Sequence, residues 1–307
     1  MIAKVSVLLA AYNGEKFIEQ QIQSILKQTH KPYKIFINID RSSDNTVKII
    51  QRYSKIFNEI QVLNTNKKFG SSAANFINLL MNGDFKDSDF VALSDQDDIW
   101  NQDKVERAIN KLVQGYDGYS SNVEAFWDDG KKRVLVKNQP QQNFDYLFES
   151  PGPGCTFVLS KKLAIALREF LKINKTEINQ MKHYHDWLFY AYARTNHFKW
   201  FIDGNVTMQY RQHALNDFGA HIGFSGFLGR VKKVLIGEGF DQVLLLVKML
   251  KLENDPFVNQ WYPLSRIGFL RLALYAPQCR RRFREKIYFF FACILLAIFF
   301  PKNFHYI

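Results

Sequence analysis

An apolar run, Val91-Ala92-Leu93-Ser94, ends in Asp95-Gln96-Asp97-Asp98 and then Ile99-Trp100. Three carboxylates within four positions repel one another, so crowding them at the end of a buried strand calls for a cation. Hard oxygen ligands suit Mg²⁺ or Mn²⁺, and such ions are usually shared with a phosphate-bearing substrate. The expected chemistry is a metal–diphosphate site at Asp95 and Asp97. A solvated acidic turn capping a helix from near Asn101 is the alternative these residues leave open. Two more polar strings could do chemistry. His183-Tyr184-His185-Asp186-Trp187 opens an apolar helix, and Arg211-Gln212-His213-Ala214-Leu215-Asn216 follows a strand that ends at Tyr210.

These positions are far apart in the chain, so a scaffold must gather them. Residues 5–11, 34–40, 60–63 and 90–93 are short apolar runs and read as strands. Residues 15–28, 45–57 and 71–81 lie between them and read as helices; in the first two the apolar residues recur at helical spacing. The alternation predicts an open α/β sheet with right-handed crossovers. Ligands of such sheets bind beyond the carboxyl ends of the strands. The first strand ends at Tyr12-Asn13-Gly14-Glu15, the second at Asp40, the third leads to Asn66-Lys67-Lys68-Phe69-Gly70, and the fourth ends in the acid cluster.

A nucleotide suits that set. Asp40 can accept from a base N–H or a ribose hydroxyl, Lys67 or Lys68 can meet a phosphate, and the carboxylates can hold a metal on the diphosphate. No glycine-rich dinucleotide fingerprint and no Walker-type loop follows the first strand. Each residue taken singly has a plainer reading. Asp40 and Asp44 could serve a turn and a helix cap, Lys67 and Lys68 a solvated loop, and Asn13-Gly14 an ordinary turn. Their order, one set after each strand, favours the joint reading.

Bulk composition agrees. The 307 residues are 47% hydrophobic and 23% charged, which is globular and long enough for one large domain or for one domain plus an appendage. The net charge of +12 fits anionic membrane or nucleotide better than nucleic acid, since no RNA-binding aromatic signature or zinc spacing is present. Cys155, Cys279 and Cys293 are far apart and read as thiols in a reducing compartment. The N-terminus runs straight into a strand pattern, with no secretory signal expected.

Ala11-Tyr12-Asn13-Gly14, Asp40-Arg41-Ser42-Ser43-Asp44, residues 66–75 and Ser94-Asp95-Gln96-Asp97-Asp98-Ile99-Trp100 resemble the ordered motifs of inverting family 2 glycosyltransferases. The resemblance is strong over about the first hundred residues and continues to about residue 220. The acid string is similar to that of the bacterial rhamnosyltransferase-like branch. The resemblance implies a GT-A fold, a Rossmann-like open mixed sheet flanked by helices. It implies that Tyr12, Asn13, Glu15 and Asp40 form the nucleotide site, with Lys67, Asp95 and Gln96 also lining the donor. Asp95 and Asp97 would flank the metal, with Asp97 its direct ligand. Where the family has a second acid, this chain has Arg41. By the same resemblance Asp186 is the base that takes the acceptor hydroxyl proton, with His185 able to orient it. A helix N-cap is the plainer role for Asp186, and His183 reads as a surface histidine. Arg211, Gln212 and His213 would belong to a loop over the donor diphosphate, His213 adding a metal or phosphate contact. Gly154 and Cys155, after Pro151-Gly152-Pro153, correspond to a glycine-rich element near the donor sugar, or to a plain loop.

After the acid cluster, residues 103–113 read as an amphipathic helix and 119–137 as a hairpin-like region turning at Asp128-Asp129-Gly130. The last third differs: 223–234 and 240–252 carry helical stripes with Arg230, Lys232 and Lys233 on the basic side. Arg280-Arg281-Arg282-Phe283-Arg284-Glu285-Lys286 precedes a charge-free run over 287–300. At ~1.5 Å per residue this run reaches ~21 Å, short of a ~30 Å hydrocarbon core. Entry into a membrane interface beside the basic cluster is expected, with dimerisation or packing onto its own domain as the other outcomes.

The joint expectation is a glycosyltransferase domain over 1–220 and a helical, membrane-associating or dimerising region over 221–307. The enzyme would be inverting and dependent on Mg²⁺ or Mn²⁺. The resemblance implies that it moves a sugar, L-rhamnose from dTDP-L-rhamnose or a hexose from a UDP-sugar, to a growing lipid-linked capsular or cell-wall polysaccharide. It would sit at the inner face of the bacterial cell membrane. The rivals are a nucleotidyltransferase and a non-catalytic sugar-nucleotide-binding scaffold subunit.

Overall fold

The computed structural model describes residues 2–178, 185–213 and 239–299, and of residues 64–67 the backbone alone. The chain divides into two compact units, Met1–Asn138 with Pro151–Gly219, and Gln139–Ser150 with Ala220–Ile307.

The first unit begins with the expected alternation: β1 (Val5–Ala11), α1 (Ile18–Leu26), β2 (Lys34–Asp40), α2 (Thr46–Ile56), β3 (Ile60–Lys67), α3 (Ser72–Asn82) and β4 (Phe90–Ser94). It continues with β5 (Ile99–Trp100), α4 (Lys104–Leu112), β6 (Gly118–Trp127), β7 (Lys132–Leu135), β8 (Val158–Ser160), α5 (Lys161–Ile173), α6 (Lys175–Ile178), α7 (His185–Thr195) and β9 (Trp200–Gln212). Among the described residues one sheet runs β3-β2-β1-β4-β8-β6-β9-β5, with β7 paired to β6. β1 to β4 are parallel neighbours, β8 is antiparallel to β4 and β6, and β9 is parallel to β6. Every residue of β1 and β4 is buried. Helices on both faces of a parallel sheet demand such continuous apolar runs. Ile18, Ile22 and Ile25 give α1 its single buried face. The hairpin expected around Gly130 is β6–β7, with Gly130 at φ +83 in its turn.

Two strands exceed the expectation. β3 extends beyond residue 63 to Lys67, whose backbone pairs with Asp40. That extension is polar, and backbone pairing there leaves no side-chain period to read. β5 has only two residues and lies antiparallel to β9, Ile99 opposite Gln209 and Trp100 opposite Met208.

The second unit contains α8 (Phe240–Met249), α9 (Arg266–Leu274), α10 (Ala276–Cys279) and α11 (Phe283–Ile298), with α9 packed along α11. Aromatics build its core: the Phe144 and Phe257 rings stack with centroids 3.6 Å apart, and Phe148 meets Phe257, Trp261 and Phe289. Arg281 is buried and bonded to Asp145 Oδ2 (3.0 Å) and Glu149 Oε2 (3.1 Å). The expectation that the whole basic run 280–286 faces headgroups therefore fails for Arg281, because two buried carboxylates need its charge. Among the described residues no helix is long and apolar enough to cross a membrane. The helix expected at 223–234, with Arg230, Lys232 and Lys233, and the expected boundary at 220 lie outside the described residues.

Candidate active site

The register of β5 on β9 creates the site. An antiparallel pair that sets Ile99 opposite Gln209 brings the acid turn before β5 alongside the end of β9. His213 Nε2 accordingly lies 2.8 Å from Asp97 Oδ2, and both side chains retain 14% exposure. The His213 ring stacks on Phe17, with centroids 5.2 Å apart.

Arg211 serves the same turn from inside. Its backbone N–H donates to Asp98 Oδ1 (3.1 Å), its Nε to the Asp97 carbonyl (2.9 Å), and its Nη2 to Gln20 Oε1 (2.6 Å). The guanidinium lies 4.5 Å from the Phe17 ring centroid and 4.6 Å from that of Phe126. The charge expected at the diphosphate is thus turned toward the protein. Gln212 is buried in the β6–β9 ladder opposite Trp127.

Beneath the turn is a buried floor. The ligand atoms of Asp95, Asp98 and Cys155 lie within 4.8 Å of one another. Burial, then the charges of Asp97 and Asp95, push Asp98 well above the usual carboxylate range. Burial, then the charges of Asp98 and Asp95, push the Cys155 thiol up as well. Lys104 is fully buried, donates to the Thr156 carbonyl (3.2 Å) and sits 4.2 Å over the Trp100 ring. Burial draws its pKa down to about 8, against the raising effect of Cys155 and Asp98.

On the nucleotide side, most expected contacts are also fasteners. Gln96 clasps the backbone of Tyr12, its Oε1 accepting from the Tyr12 N–H and its Nε2 donating to the Tyr12 carbonyl (2.6 Å). A Cβ on Gly14 would stand 2.8 Å from Gln96 Oε1, so the clasp requires glycine there. Asn13, at φ +44, accepts from the Ser43 N–H (2.8 Å), and Glu15 accepts from the Asn45 N–H (2.9 Å). These side chains bind the β1 turn to the start of α2. Asp40 accepts from the N–H groups of Arg41 (2.7 Å), Phe69 (2.9 Å) and Gly70 (2.8 Å), which fastens the loop after β3. Tyr12 keeps an exposed side chain. The Lys67 side chain and His183 lie outside the described residues.

Asp186 stands in the first turn of α7, half-buried, its Oδ1 accepting from the Trp187 N–H (2.8 Å). His185 stacks on Phe76 of α3, with centroids 4.6 Å apart. A Cβ on Gly154 would stand 2.4 Å from His185 Nε2. Gly154 therefore makes room for His185, and the adjacent Cys155 belongs to the floor under Asp95. Through His185, Gly154 and Cys155, the start of α7 is joined to the acid turn.

Asp97 and His213 are paired and partly open, and could offer a divalent cation a carboxylate oxygen and an imidazole nitrogen. Asp98 and Cys155 lie fully buried, and with Asp95 their ligand atoms also stand close enough to share an ion. Sequence reasoning missed Phe17, Gln20 and Lys104, which sit in helical stripes where apolar packing or solvent is the usual reading. Asn75 was also missed as a bridge. It accepts from Asn38 Nδ2 (2.6 Å) and donates to the carbonyls of Ala11 and Asn38 (each 3.3 Å), tying the ends of β1 and β2.

The profile of glycosyl transferase family 2 matches residues 6–204. Over 289 residues the chain is 39% identical to a Shigella flexneri protein named dTDP-rhamnosyl transferase RfbG, covering 94% of this chain and 99% of that one. Residues 1–349 of S. aureus TarS share the fold with a TM-score of 0.54 at 15% identity, covering 98% of this chain and 93% of that one. The mannosyltransferase PcManGT of Pyrobaculum calidifontis, in complex with GDP-Man and Mn²⁺, gives 0.50 at 13% identity, covering 96% and 85%. The mixed sheet flanked by helices is thus GT-A-like. The chain belongs to glycosyltransferase family 2, as a glycosyltransferase of rhamnosyltransferase-like type.

Proposed function

We propose that this enzyme transfers L-rhamnose from dTDP-L-rhamnose, with inversion, to a hydroxyl of a growing lipid-linked cell-surface polysaccharide. The observation that carries the reading is the Asp97–His213 pair at the carboxyl end of β4. The near full-length similarity to a protein named for dTDP-rhamnosyl transfer supports the donor. Mg²⁺ or Mn²⁺, held by Asp95, Asp97 and His213, would offset the charge on the donor diphosphate. The chain's own residues do the rest. Asp186 takes the proton of the acceptor hydroxyl as its oxygen attacks the anomeric carbon from the face opposite the diphosphate. The bond from that carbon to the diphosphate oxygen breaks, and the nucleoside diphosphate leaves. Tyr12, Asn13, Glu15 and Asp40 shape the nucleotide cradle, and Arg211 and Gln96 hold the acid turn in place. A lipid-linked acceptor puts the reaction at the cytoplasmic face of the membrane.

The test incubates the purified full chain with dTDP-L-rhamnose or UDP-sugars, Mn²⁺ or Mg²⁺, and a lipid-linked acceptor. Transfer from dTDP-L-rhamnose is expected, abolished by a chelator. Asp186→Asn should lower the rate about 10²- to 10⁴-fold while still binding donor. No transfer or donor hydrolysis from any donor, or an Asp186→Asn enzyme as active as wild type, would overturn the reading.

A further inference from the structure

Two packed helices of the second unit, α9 and α11, present apolar side chains to solvent, and the exposed charges on them are arginines. On α11 the outward positions are Arg284, Ile287, Tyr288, Phe291 and Ile298, at the spacing of one helical face. The opposite side, Cys293, Leu296 and Ala297, is the buried one. Phe283 is 76% exposed and Phe291 58%. On α9 the outward residues are Arg266, Ile267, Leu270, Arg271 and Leu274, the last 76% exposed. A helix normally turns polar residues to water, so aromatic and aliphatic outer faces on two packed helices mark a binding surface.

The charges say what covers it. Between residues 264 and 299 the exposed charged residues are Arg266, Arg271, Arg282 and Arg284, with no exposed acid among them. The one acid there, Glu285, is part-buried and pairs with Arg280 Nη2 (3.1 Å) and Arg282 Nη1 (3.9 Å), which leaves the face a net positive charge. A second copy docked on this face would bring no exposed acid to these arginines. An anionic lipid surface instead meets both features, headgroup phosphates at the guanidinium groups and acyl chains at the aromatic and aliphatic side chains. α11 has 16 residues, ~24 Å at ~1.5 Å each, which fits a helix lying in the interface better than one crossing a ~30 Å core.

We infer that α9 and α11 form a docking surface for an anionic bilayer, lying in the plane of the interface with Arg282 and Arg284 at headgroup level. This deepens the proposed function, because it rests on the reading that the acceptor is membrane-borne. It names the surface that meets that membrane.

The test is flotation of the full chain with vesicles of phosphatidylcholine, with or without phosphatidylglycerol. It needs no donor, acceptor or turnover, so its outcome is independent of the transfer assay. Wild type and Asp186→Asn should float equally with the anionic vesicles and weakly with the neutral ones. Arg282→Glu/Arg284→Glu should weaken partitioning about tenfold or more. Ile287→Glu/Phe291→Glu should weaken it at least as much, with unchanged circular dichroism, because these side chains are already in water. Donor hydrolysis by both variants should stay at the wild-type level. Equal flotation of wild type and both variants would overturn the proposal, as would failure of wild type to float. So would a wild-type dimer that Ile287→Glu/Phe291→Glu converts to monomer without any vesicle binding.

Discussion

His213 Nε2 lies 2.8 Å from Asp97 Oδ2, although 116 positions separate the two residues in the chain. The pair exists because β5 docks on β9, and it couples the acid turn to the residue just past the end of β9. Asp186, in the first turn of α7, is carried by a different element. Metal binding and proton transfer should therefore fail separately.

His213→Ala should raise the Mn²⁺ concentration for half-maximal transfer by about tenfold or more. At saturating metal it should recover much of the rate. Asp97→Asn should show the same shift, with a lower ceiling. Asp186→Asn should lose rate with the metal requirement unchanged. Metal titrations of initial rate read all three. An unaltered metal requirement in His213→Ala would remove His213 from the cation site.

The Gln96–Tyr12 clasp predicts a non-additive pair. Gly14→Ala puts a Cβ 2.8 Å from Gln96 Oε1, and Gln96→Ala deletes that amide. Each change should raise the donor KM by about threefold to tenfold, the scale of one or two modest hydrogen bonds. The double variant should be no worse than Gln96→Ala alone, because the clash vanishes with the amide. Additive effects would mean that Gly14 serves the donor directly.

Arg281 should dominate the stability of the second unit. Its guanidinium is buried between Asp145 and Glu149, and its Nη2 also donates to the Ser150 carbonyl (2.5 Å). Burial pushes Glu149 above the usual carboxylate range, against the lowering effect of Arg280 and Arg281. Removing one member of a buried pair strands its partners, at about 3–5 kcal/mol. Arg281→Met should lower unfolding stability by that order, read by denaturant titration. Arg284→Met, exposed on α11, should change it by less than about 0.5 kcal/mol.

Lys104 supplies a pH dependence. Its ordinary value is 10.5 and burial lowers it to about 8 in the folded chain. Between those values the unfolded chain binds the extra proton and the folded chain does not, so stability rises with pH across that window. Below about pH 8 the cost of burying the charge is present in full. The unfolding free energy of wild type minus that of Lys104→Met should therefore be flat below pH 8 and climb as pH increases above it. A difference independent of pH across the window would contradict the buried cation.

Much of the first unit was legible because its strands are short apolar runs and its helices carry single apolar faces. The acid turn drew notice in the sequence because three acids crowded after a buried strand repel one another. Partners remote in sequence were not legible. Cys155 meets Asp95 and Asp98 only through the placement of β8 and the turn before it. Arg211 read as a cation for phosphate because an arginine in a polar string gives no sign of Phe17 and Phe126 on its two faces. Arg281 looked like its neighbours in a basic run, and only the packing of residues 139–150 shows why it is buried. The polar end of β3 carries no period at all.

The link between β4, which ends at Ser94, and β5, which starts at Ile99, is four residues long. Because β5 is only two residues and its register on β9 decides what stands beside Asp97, that length acts as a ruler. One residue inserted there would either turn the side chains of β5 to the opposite face or slide the acids past His213. Such an insertion would keep every catalytic side chain in the gene product and still separate them in space. Indels in this link should therefore be as damaging as substitutions of the acids themselves, a constraint on spacing that identity at each position does not express.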